Sequence, residues 1–349
     1  MHWSGVVAHY RSRLTVEGEP VTLLEGNTPL VPVPRVAEWA CPGAELFIKY
    51  EGLNPTGSFK DRGMTAAMTQ AKHDGAETVI CASTGNTAAS AAAYAARAGM
   101  KCIVLVPDGK IAMGKLAGSM AYGAQVVQIR GSFDDGLRMV RDVSERTPIA
   151  LVNSVNPARL QGQKTAAFEI VDALGNAPDW LCLPVGNAGN ISSYWLGFRE
   201  ALADGHAASA PRLLGGQAAG SAPLLANAAV DEPETLATAI RIGHPARWCQ
   251  ALWALRESAG QIWSVTDDEI LATYHCLAAA DGIFCEPSSA AGVAALRKSL
   301  QHGKIEVEGR RIVCVLTGHG LKDPDSALRD AKLPQAIEPT LDALMNVIE

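Results

Sequence analysis

The sequence has no run of basic residues and no apolar run long enough to span a bilayer. Only 19% of its 349 residues are charged, and the formal net charge is −6. Because nucleic acids and acidic membrane surfaces bind clustered lysine and arginine, neither is an expected partner. Residues 1–13 lack the apolar segment of a signal peptide. These features predict a cytoplasmic protein whose partner is a small molecule.

Cysteine pairs with metal-binding spacing are also absent. None of the eight cysteines forms a C-x-x-C pair, so no structural zinc site, and no metal, is expected. Most cysteines lie inside apolar runs, as Cys81 does in 79–82 and Cys314 does in 313–315. Such cysteines behave as small buried hydrophobes and are typical of a reducing compartment.

The remaining composition, 48% hydrophobic, is ample for one or two cores. Strand-like runs are found at 46–50, 78–81, 102–106, 125–129, 149–152, 180–183, 212–214 and 312–316. Helix-like runs are found at 87–98, 134–144, 161–174, 191–203, 267–280 and 289–300. This alternation predicts an α/β fold with open, mostly parallel sheets covered by helices on both faces.

The chain length is that of about two domains. A weak boundary near 148–157 suggests a smaller, mobile α/β domain at 79–151. The larger domain would then comprise 1–78 and 152–349. Before the first strong strand, a helix is expected near the N-terminus, and the proline-rich segment 28–34 suits an extended, edge-like stretch.

Lys60 lies in an unusual setting for a lysine. The segment 54–63 reads Asn-Pro-Thr-Gly-Ser-Phe-Lys-Asp-Arg-Gly and directly follows a strand-like run. A lysine shielded from water loses preference for its charged form, so its amine becomes a nucleophile and a base near neutral pH. That chemistry can hold an aldehyde cofactor as a Schiff base. The alternative is that Lys60 and Arg62 are ordinary residues at a helix N-terminus.

The loop Ser83, Thr84, Gly85, Asn86, Thr87 joins a strand to a helix. A turn of this kind presents free backbone N–H groups to an anion, such as a substrate carboxylate. Asn86 could also hydrogen-bond a phenolic oxygen. The alternative is simple helix capping by Thr84 or Asn86.

A second loop of this kind is Gly186, Asn187, Ala188, Gly189, Asn190. Its two glycines let the backbone approach a ligand closely, and the following helix favours a phosphate. The three-glycine spacing of a dinucleotide site is absent, which indicates a single phosphate group. The alternative is a plain strand-to-helix turn.

Polar residues follow two further strands. Thr317 comes directly after the strand-like run 312–316, where it could offer a neutral hydroxyl to a ring nitrogen, or simply belong to a glycine turn. Asn153, Ser154 and Arg159 follow the run 149–152 and could hold a second anion. The alternative is a loop with a surface arginine.

Two other segments carry weaker motif signals. Residues 109–115 match most of a P-loop, but Leu116 stands where the motif needs serine or threonine, so an NTPase is disfavoured. The segment 285–289, Cys-Glu-Pro-Ser-Ser, reads as a helix start capped by Ser288 that could border the cofactor.

The order of these motifs resembles the fold-type-II enzymes that use pyridoxal 5′-phosphate, which share a tryptophan synthase β-like fold. More closely, the chain resembles the threonine synthases of the shorter bacterial kind. The matching segments are 54–63, 83–87 and 186–190, with Ala-Thr-Ala-Ile-Arg-Ile-Gly from Ala237 and Leu-Thr-Gly-His-Gly-Leu-Lys-Asp from Leu316. The resemblance runs over about 24–322.

The resemblance implies that Lys60 forms a Schiff base with pyridoxal 5′-phosphate. It places Asn86 at the 3′-oxygen, residues 186–190 at the phosphate and Thr317 at the pyridine nitrogen. The implied reaction is the last step of threonine biosynthesis, a lyase reaction that converts O-phospho-L-homoserine and water into L-threonine and phosphate. The substrate contacts would be Ser83, Thr84, Thr87, Asn153, Ser154 and Arg159.

Two rival functions remain open from the sequence. A related dehydratase acting on serine or threonine would need no pocket for a second phosphate. A non-catalytic homologue would not need Lys60 together with every cofactor contact. The sequence has no direct signal for oligomeric state, and a homodimer is the expectation.

Overall fold

The computed structural model describes residues 2–109, 113–329 and 336–348. Its strands are β1 (Leu30–Pro32), β2 (Glu45–Tyr50), β3 (Thr78–Ala82), β4 (Lys101–Pro107), β5 (Gln125–Ile129), β6 (Ala150–Leu151), β7 (Trp180–Pro184), β8 (Arg212–Ala218), β9 (Gln261–Val265) and β10 (Arg311–Leu316). Its first helices are α1 (Val6–His9), α2 (Pro34–Ala40), α3 (Lys60–His73), α4 (Asn86–Ala98), α5 (Met113–Ala121), α6 (Phe133–Arg146) and α7 (Pro157–Leu174). The later helices are α8 (Gly189–Ala203), α9 (Pro223–Ala226), α10 (Trp248–Glu257), α11 (Asp267–Asp281), α12 (Pro287–Gln301), α13 (Pro324–Leu328) and α14 (Leu341–Ile348).

The larger sheet has six strands in the order β1-β2-β10-β7-β8-β9. All neighbours are parallel except β1, which pairs antiparallel with β2 at the edge. On the central strand β10, Ile312, Cys314 and Leu316 enter one core, with α2, α11 and α12. Val313 and Val315 enter the opposite core, with α7, α8 and α10. Both faces of the sheet are therefore covered, which explains why its central strands read as continuous apolar runs.

The smaller sheet has four parallel strands in the order β5-β4-β3-β6. One of its faces packs on α4 and also on α3, which contributes Met64 and Met68 to that core. On its other face, Val140 of α6 packs against Ile80 and Leu105. The helix α3 thus follows the larger sheet along the chain but packs on the smaller one, so its first residue lies where the two sheets meet.

The fold class expected from the sequence is confirmed, because both sheets are open, mostly parallel and covered by helices. Each strand-like run corresponds to an observed strand, and the proline-rich segment forms the edge strand β1. The structure differs from the predicted strands in two places. The strand β8 runs on to Ala218 through Gly215 and Gly216, and the partly exposed edge strand β9 was not predicted. The N-terminal helix is only the four-residue α1.

The eight cysteines are all free, and six of them are buried, in line with their apolar sequence context. Within the three described stretches, no three histidine, cysteine or acidic side chains lie close enough together to hold a metal ion.

The described part of the chain contains no candidate membrane-spanning helix. None of its helices combines the length and the apolar character needed to cross a bilayer.

Candidate active site

The loops that follow β2, β3, β7 and β10 meet at one place, the carboxyl ends of the strands. This edge is where open α/β sheets bind ligands. Lys60 is the first residue of α3, and its loop lies against the loop after β10. The backbone N–H of Phe59 donates to the carbonyl of Thr317 at 3.0 Å, and that of His319 donates to the carbonyl of Gly57 at 2.9 Å. Lys60 is therefore held by the same hydrogen bonds that position Thr317.

The environment of Lys60 favours a neutral amine. Its side chain is half-buried, and its Nζ lies 4.0 Å from the centre of the Phe59 ring. Burial, and to a smaller extent the positive charge of Arg159, lower the pKa of Lys60 to about 7, while the carboxylate of Glu286 opposes both effects. A large fraction of the amine is thus available as a nucleophile near neutral pH, as the sequence predicted.

The next two residues of α3 are structural. The carboxylate of Asp61 accepts hydrogen bonds from the backbone N–H and hydroxyl of Thr56, at 2.7 and 2.6 Å, and from Ser90 Oγ of α4 at 2.6 Å. Arg62 is fully buried and forms ion pairs with Glu51 and Glu169, each at 2.6 Å. These contacts hold the turn before Lys60 rigidly between α4 and the larger sheet.

The helix α4 is capped by neither of the residues proposed as caps. Its N-cap is Gly85, which has no side chain, so capping by Thr84 or Asn86 is wrong. Ser83 Oγ instead accepts a hydrogen bond from the N–H of Gly85 at 3.2 Å. A Cβ placed on Gly85 would meet no atom within 4 Å, so open space lies in front of this loop. Together with half-buried Thr84 and Thr87, the turn is free to bind an anion.

The loop before α8 has the geometry of an anion cradle. Ala188 adopts a left-handed conformation, with φ 62°, and directly precedes the first helical residue, Gly189. A Cβ on Gly189 would meet no atom within 4 Å. The Nδ2 atom of Asn190 is buried and has no hydrogen-bond partner among the described residues. The start of α8 thus combines free helix N–H groups, open space at Gly189 and a buried amide without a partner among the described residues.

The other two residues of this loop are held by protein contacts. Asn187 accepts a hydrogen bond from the N–H of Ala246 at 2.6 Å and donates one to Ser154 Oγ at 2.8 Å. A Cβ on Gly186 would lie 2.9 Å from the Cα of Ile240, so only glycine fits there. The short helix Thr238–Ile240, inside the Ala237 motif, therefore forms the wall behind the loop.

Thr317 has two polar neighbours in the segment 285–289, which the sequence suggested could border the cofactor without giving either residue a role. Its Oγ1 lies 3.0 Å from Ser289 Oγ and 3.4 Å from Glu286 Oε1. Glu286 also accepts from Nδ2 of Asn86, at 3.1 and 3.3 Å. The only sequence signal was the polar start of α12. The prediction that Ser288 caps α12 is wrong. The N-cap residue is Glu286, and Ser288 Oγ accepts a hydrogen bond from the N–H of Ala239.

The three residues proposed to bind a second anion have different surroundings in the structure. The Asn153 amide is used at β3, where it accepts from the N–H of Ala82 at 3.0 Å and donates to its carbonyl at 2.9 Å. Ser154 lies against Asn187 of the phosphate loop. Arg159 is 1% exposed, and its charge is close enough to lower the pKa of Lys60.

Arg159 is held only in part. Its Nη1 donates to the carbonyl of Val152 at 3.2 Å, while its Nε is buried without a hydrogen-bond partner in the described part of the chain. Burial lowers the pKa of Arg159 to about 10, which leaves the guanidinium charged at neutral pH. It is therefore not the surface arginine of the alternative interpretation but a buried cation beside Lys60.

Part of the P-loop-like segment, 110–112, lies outside the described residues.

Comparison with known proteins identifies the family. A family model described as pyridoxal-phosphate dependent enzyme matches residues 21–318. A threonine synthase of Synechocystis sp. is 56% identical over 344 residues, covering 97% of this chain and 89% of the relative. A threonine synthase of Mycobacterium leprae is 56% identical over 345 residues, covering 98% and 94%. The chain belongs to the threonine synthase family.

Threonine synthases of this family depend on pyridoxal phosphate, so the cofactor and the lyase class expected from the sequence are confirmed. Among solved structures, maize serine racemase superimposes with a TM-score of 0.76 at 20% identity, covering 94% of this chain and 97% of that one. At this identity the match shows the fold alone, and it confirms the fold-type-II architecture.

The residues of this threonine synthase family member fit its cofactor. The unpaired Asn190 amide and the open space before Gly189 suit a phosphate group. Lys60 supplies an amine of lowered pKa. The Asn86 amide and the Thr317 hydroxyl each lie within hydrogen-bond distance of the Glu286 carboxylate.

Proposed function

We propose that the protein converts O-phospho-L-homoserine and water into L-threonine and phosphate. The observation that supports this proposal is the buried guanidinium of Arg159, which could hold a second anion. The loop at Gly189 is taken by the cofactor phosphate, and Arg159 adds a buried, incompletely hydrogen-bonded cation beside Lys60. A substrate with its own phosphate group explains why a cation is kept there without a bound carboxylate.

In this proposal each cofactor contact is made by a residue of matching chemistry. Lys60 holds the aldehyde carbon, residues 186–190 hold the phosphate, and one N–H of Asn86 reaches the 3′-oxygen. The Thr317 hydroxyl contacts the pyridine nitrogen as a neutral partner, where a carboxylate would instead keep that nitrogen protonated.

The bound pyridoxal phosphate supplies an electron sink for the negative charge left when a proton leaves the substrate α-carbon. Lys60 would be the base that removes this proton once the substrate amine has replaced it on the cofactor, since its free amine is neutral in a large fraction of molecules near pH 7. Arg159 holds the substrate phosphate while a second proton leaves Cβ and phosphate leaves Cγ, before water adds at Cβ and protons return to the substrate carbons. The Ser83–Thr87 turn, with Ser83, Thr84 and Thr87, binds the substrate carboxylate at the N-terminus of α4.

Asn153 and Ser154 take supporting positions in the same pocket. Asn153 has one remaining N–H after its two bonds to Ala82, and Ser154 connects the phosphate-binding loop to the start of α7. We assign both to the rim of the substrate phosphate site, with Arg159 as its main ligand.

The domain arrangement belongs to the proposal as well. We assign 1–78 and 152–349 to a larger cofactor-binding domain and 79–151 to a smaller domain that moves during turnover. A separate sheet in the smaller segment supports this division. Closure would bring the Ser83–Thr87 turn toward Lys60 and exclude water until elimination is complete.

A cytoplasmic homodimer completes the proposal. Eight free cysteines fit a reducing compartment. Leu202 of α8 and Trp253 of the adjacent α10 are each 42% exposed, and apolar side chains of this size on neighbouring helices suit contact with a second copy.

A substrate comparison tests the reaction. The purified enzyme with its cofactor is given phosphohomoserine, serine or threonine, and phosphate, threonine, ammonia and oxo acids are measured. We expect phosphate and threonine from phosphohomoserine as the main products. Faster release of ammonia and an oxo acid from serine or threonine would instead identify a dehydratase.

A further inference from the structure

Glu286 is a buried acid whose side chain has no role in the proposed reaction so far. It is 5% exposed and is the N-cap residue of the 15-residue helix α12. An acidic side chain at a helix N-cap ordinarily accepts hydrogen bonds from the first turn of that helix. Here the side chain makes no capping bond. Its carboxylate is turned away from its own helix and toward the active site.

The contacts of this carboxylate join two parts of the molecule. Asn86, at the start of α4 beside the smaller sheet, donates Nδ2 to both carboxylate oxygens, at 3.1 and 3.3 Å. Thr317, directly after β10 of the larger sheet, lies 3.4 Å from Oε1. Under the proposed function these are the two residues that contact the cofactor ring.

The backbone around Glu286 fixes the carboxylate in this place. Its N–H donates to the carbonyl of Gly318 at 3.0 Å. A Cβ on Gly318 would lie 2.6 Å from the carboxyl carbon of Glu286. Gly318 is therefore small because the Glu286 side chain passes directly over it.

The hydrogen-bond inventory shows what the carboxylate can do for its neighbours. An asparagine amide has two N–H donors in one plane, so a bond from one of them to Glu286 sets the direction of the other. A threonine hydroxyl has one donor and two acceptor positions. The Thr317 hydroxyl oxygen lies 3.0 Å from Ser289 Oγ and close to Glu286 Oε1. These two neighbours therefore limit the directions in which the single O–H of Thr317 can point.

The charged groups that surround Glu286 make it sensitive to its surroundings. Burial raises the pKa of Glu286, while the Asn86 hydrogen bond and the positive charges of Lys60 and Lys322 lower it. Asp323 acts in the same direction as burial. Burial is the largest of these influences, so the pKa of Glu286 lies above its ordinary value.

We propose that Glu286 is a positioning residue for the cofactor ring, because its carboxylate orients the Asn86 amide and the Thr317 hydroxyl for their contacts with that ring. This rests on the proposed roles of Asn86 and Thr317, and it adds a residue that connects them across the two sheets. Glu286 itself transfers no proton in this account.

The test compares Glu286→Gln with Glu286→Ala. Glutamine keeps an oxygen that accepts from Asn86 and an N–H that can donate to Thr317, while alanine removes both contacts. Equilibrium dialysis of each loaded enzyme, followed by absorbance, measures the affinity for pyridoxal phosphate without any substrate. We expect Glu286→Ala to lose about tenfold or more in affinity, and Glu286→Gln to stay within about threefold of the wild type. The near-visible absorbance maximum should move in the alanine variant only.

Glu306→Gln is the matched control. It removes one exposed carboxylate before β10, at the end of the strand opposite to Thr317, and should leave affinity and spectrum unchanged. Circular dichroism of the apo variants checks that they fold.

A double variant tests whether Glu286 acts through Asn86. Asn86→Ala with Glu286→Ala should lose less affinity than the product of the two single losses. Additive losses, or equal losses in the glutamine and alanine variants, would overturn the positioning role. So would wild-type affinity and spectrum in Glu286→Ala. Since no substrate is present, failure here is distinct from a wrong choice of substrate.

Discussion

Lys60 and Arg159 are two basic residues of the site, the first half-buried and the second fully buried, with different proposed roles. Burial lowers the pKa of both, to about 7 for Lys60 and to about 10 for Arg159. At neutral pH the lysine is therefore partly neutral and the arginine remains charged. The neutral lysine can act as nucleophile and base, and the charged arginine can hold an anion. Repulsion between the two positive charges helps to keep the lysine neutral.

The lowered pKa of Lys60 predicts how the apo protein takes up its cofactor. The neutral amine is the nucleophile, so the rate of attachment should rise with pH up to about 7 and then level off. Mixing apo protein with pyridoxal phosphate across about pH 5 to 10 and following the near-visible absorbance measures this rate. In Arg159→Ala the midpoint should move to higher pH, since one positive charge has been removed. A rate that climbs continuously to about pH 10, as for an ordinary lysine, would contradict the assignment.

Arg159 should matter for the substrate and not for the cofactor. Arg159→Ala removes charge-assisted hydrogen bonds worth about 1.5–3 kcal/mol each, so KM for phosphohomoserine should rise at least about tenfold. The absorbance of the bound cofactor should be unchanged. Steady-state kinetics make the comparison, with exposed Arg256→Ala as the control. Wild-type KM and kcat in Arg159→Ala would mean that the substrate phosphate is held elsewhere.

At the scale of elements, the start of α8 is built around a missing side chain. Ala188 turns the chain in the left-handed conformation, and Gly189 leaves the space in front of the helix open. The first N–H groups of a helix have no intrahelical acceptors, and here they face that open space. The element thus brings partial positive charge to the cofactor phosphate without needing a cationic side chain.

Gly189→Val should therefore weaken cofactor binding more than substrate binding. The added side chain would extend into the space that the phosphate needs, and the expected loss of cofactor affinity is about tenfold or more. Titration with pyridoxal phosphate measures it, and KM for phosphohomoserine at saturating cofactor is the comparison. Ala203→Val, at the exposed end of the same helix, is the control. Unchanged cofactor affinity in Gly189→Val would contradict the role of this loop.

The elements also show what could be predicted from the sequence. Glycines and hydroxyl groups after apolar runs correctly located the loops at Lys60, Asn86, Gly189 and Thr317, because parallel strands end at one edge of their sheet. The strand β9 was missed because an edge strand is only half-buried and lacks a strong apolar pattern.

Other features depended on long-range packing. Glu286 contacts Asn86 from 200 positions away, and no local pattern reports such a contact. The N-cap of α4 is Gly85 and not Thr84 or Asn86. The Ser288 hydroxyl accepts a hydrogen bond from the N–H of Ala239 and does not cap α12. Asn153 was predicted from its polarity, yet its amide bonds to the backbone of β3 were not foreseeable. In each case the tertiary partner decided the role.

At the scale of the whole molecule, a buried ion network holds the site between the two sheets. Arg62 of α3 joins Glu51, directly after β2, to Glu169 of α7, and Lys49 of β2 also pairs with Glu169 at 2.7 Å. Burial alone would raise the pKa of Glu169, but Arg62 and Lys49 lower it to about 2. The Glu169 carboxylate is therefore ionised at neutral pH, and its ion pairs with Arg62 and Lys49 fix the direction in which α3 presents Lys60.

Removal of one member should destabilise the whole fold. Arg62→Met leaves two buried carboxylates without their main partner, which is expected to cost about 3–5 kcal/mol in the free energy of unfolding. Denaturant unfolding of the loaded enzyme measures the loss. Lys298→Ala, which breaks the partly exposed pair with Glu269, should cost no more than about 1 kcal/mol. A loss in Arg62→Met as small as in the control would show that the network is not needed for stability.

The central claim is that phosphate leaves from Cγ and that water adds at Cβ in one active site. Turnover of phosphohomoserine in ¹⁸O-labelled water tests both steps, with the products analysed by mass spectrometry. We predict equal amounts of threonine and phosphate, with the label in the threonine hydroxyl and none transferred to phosphate during turnover, because the carbon–oxygen bond breaks. Homoserine with labelled phosphate would indicate a phosphatase, and an unlabelled threonine hydroxyl would exclude addition of water, so either result would contradict the account.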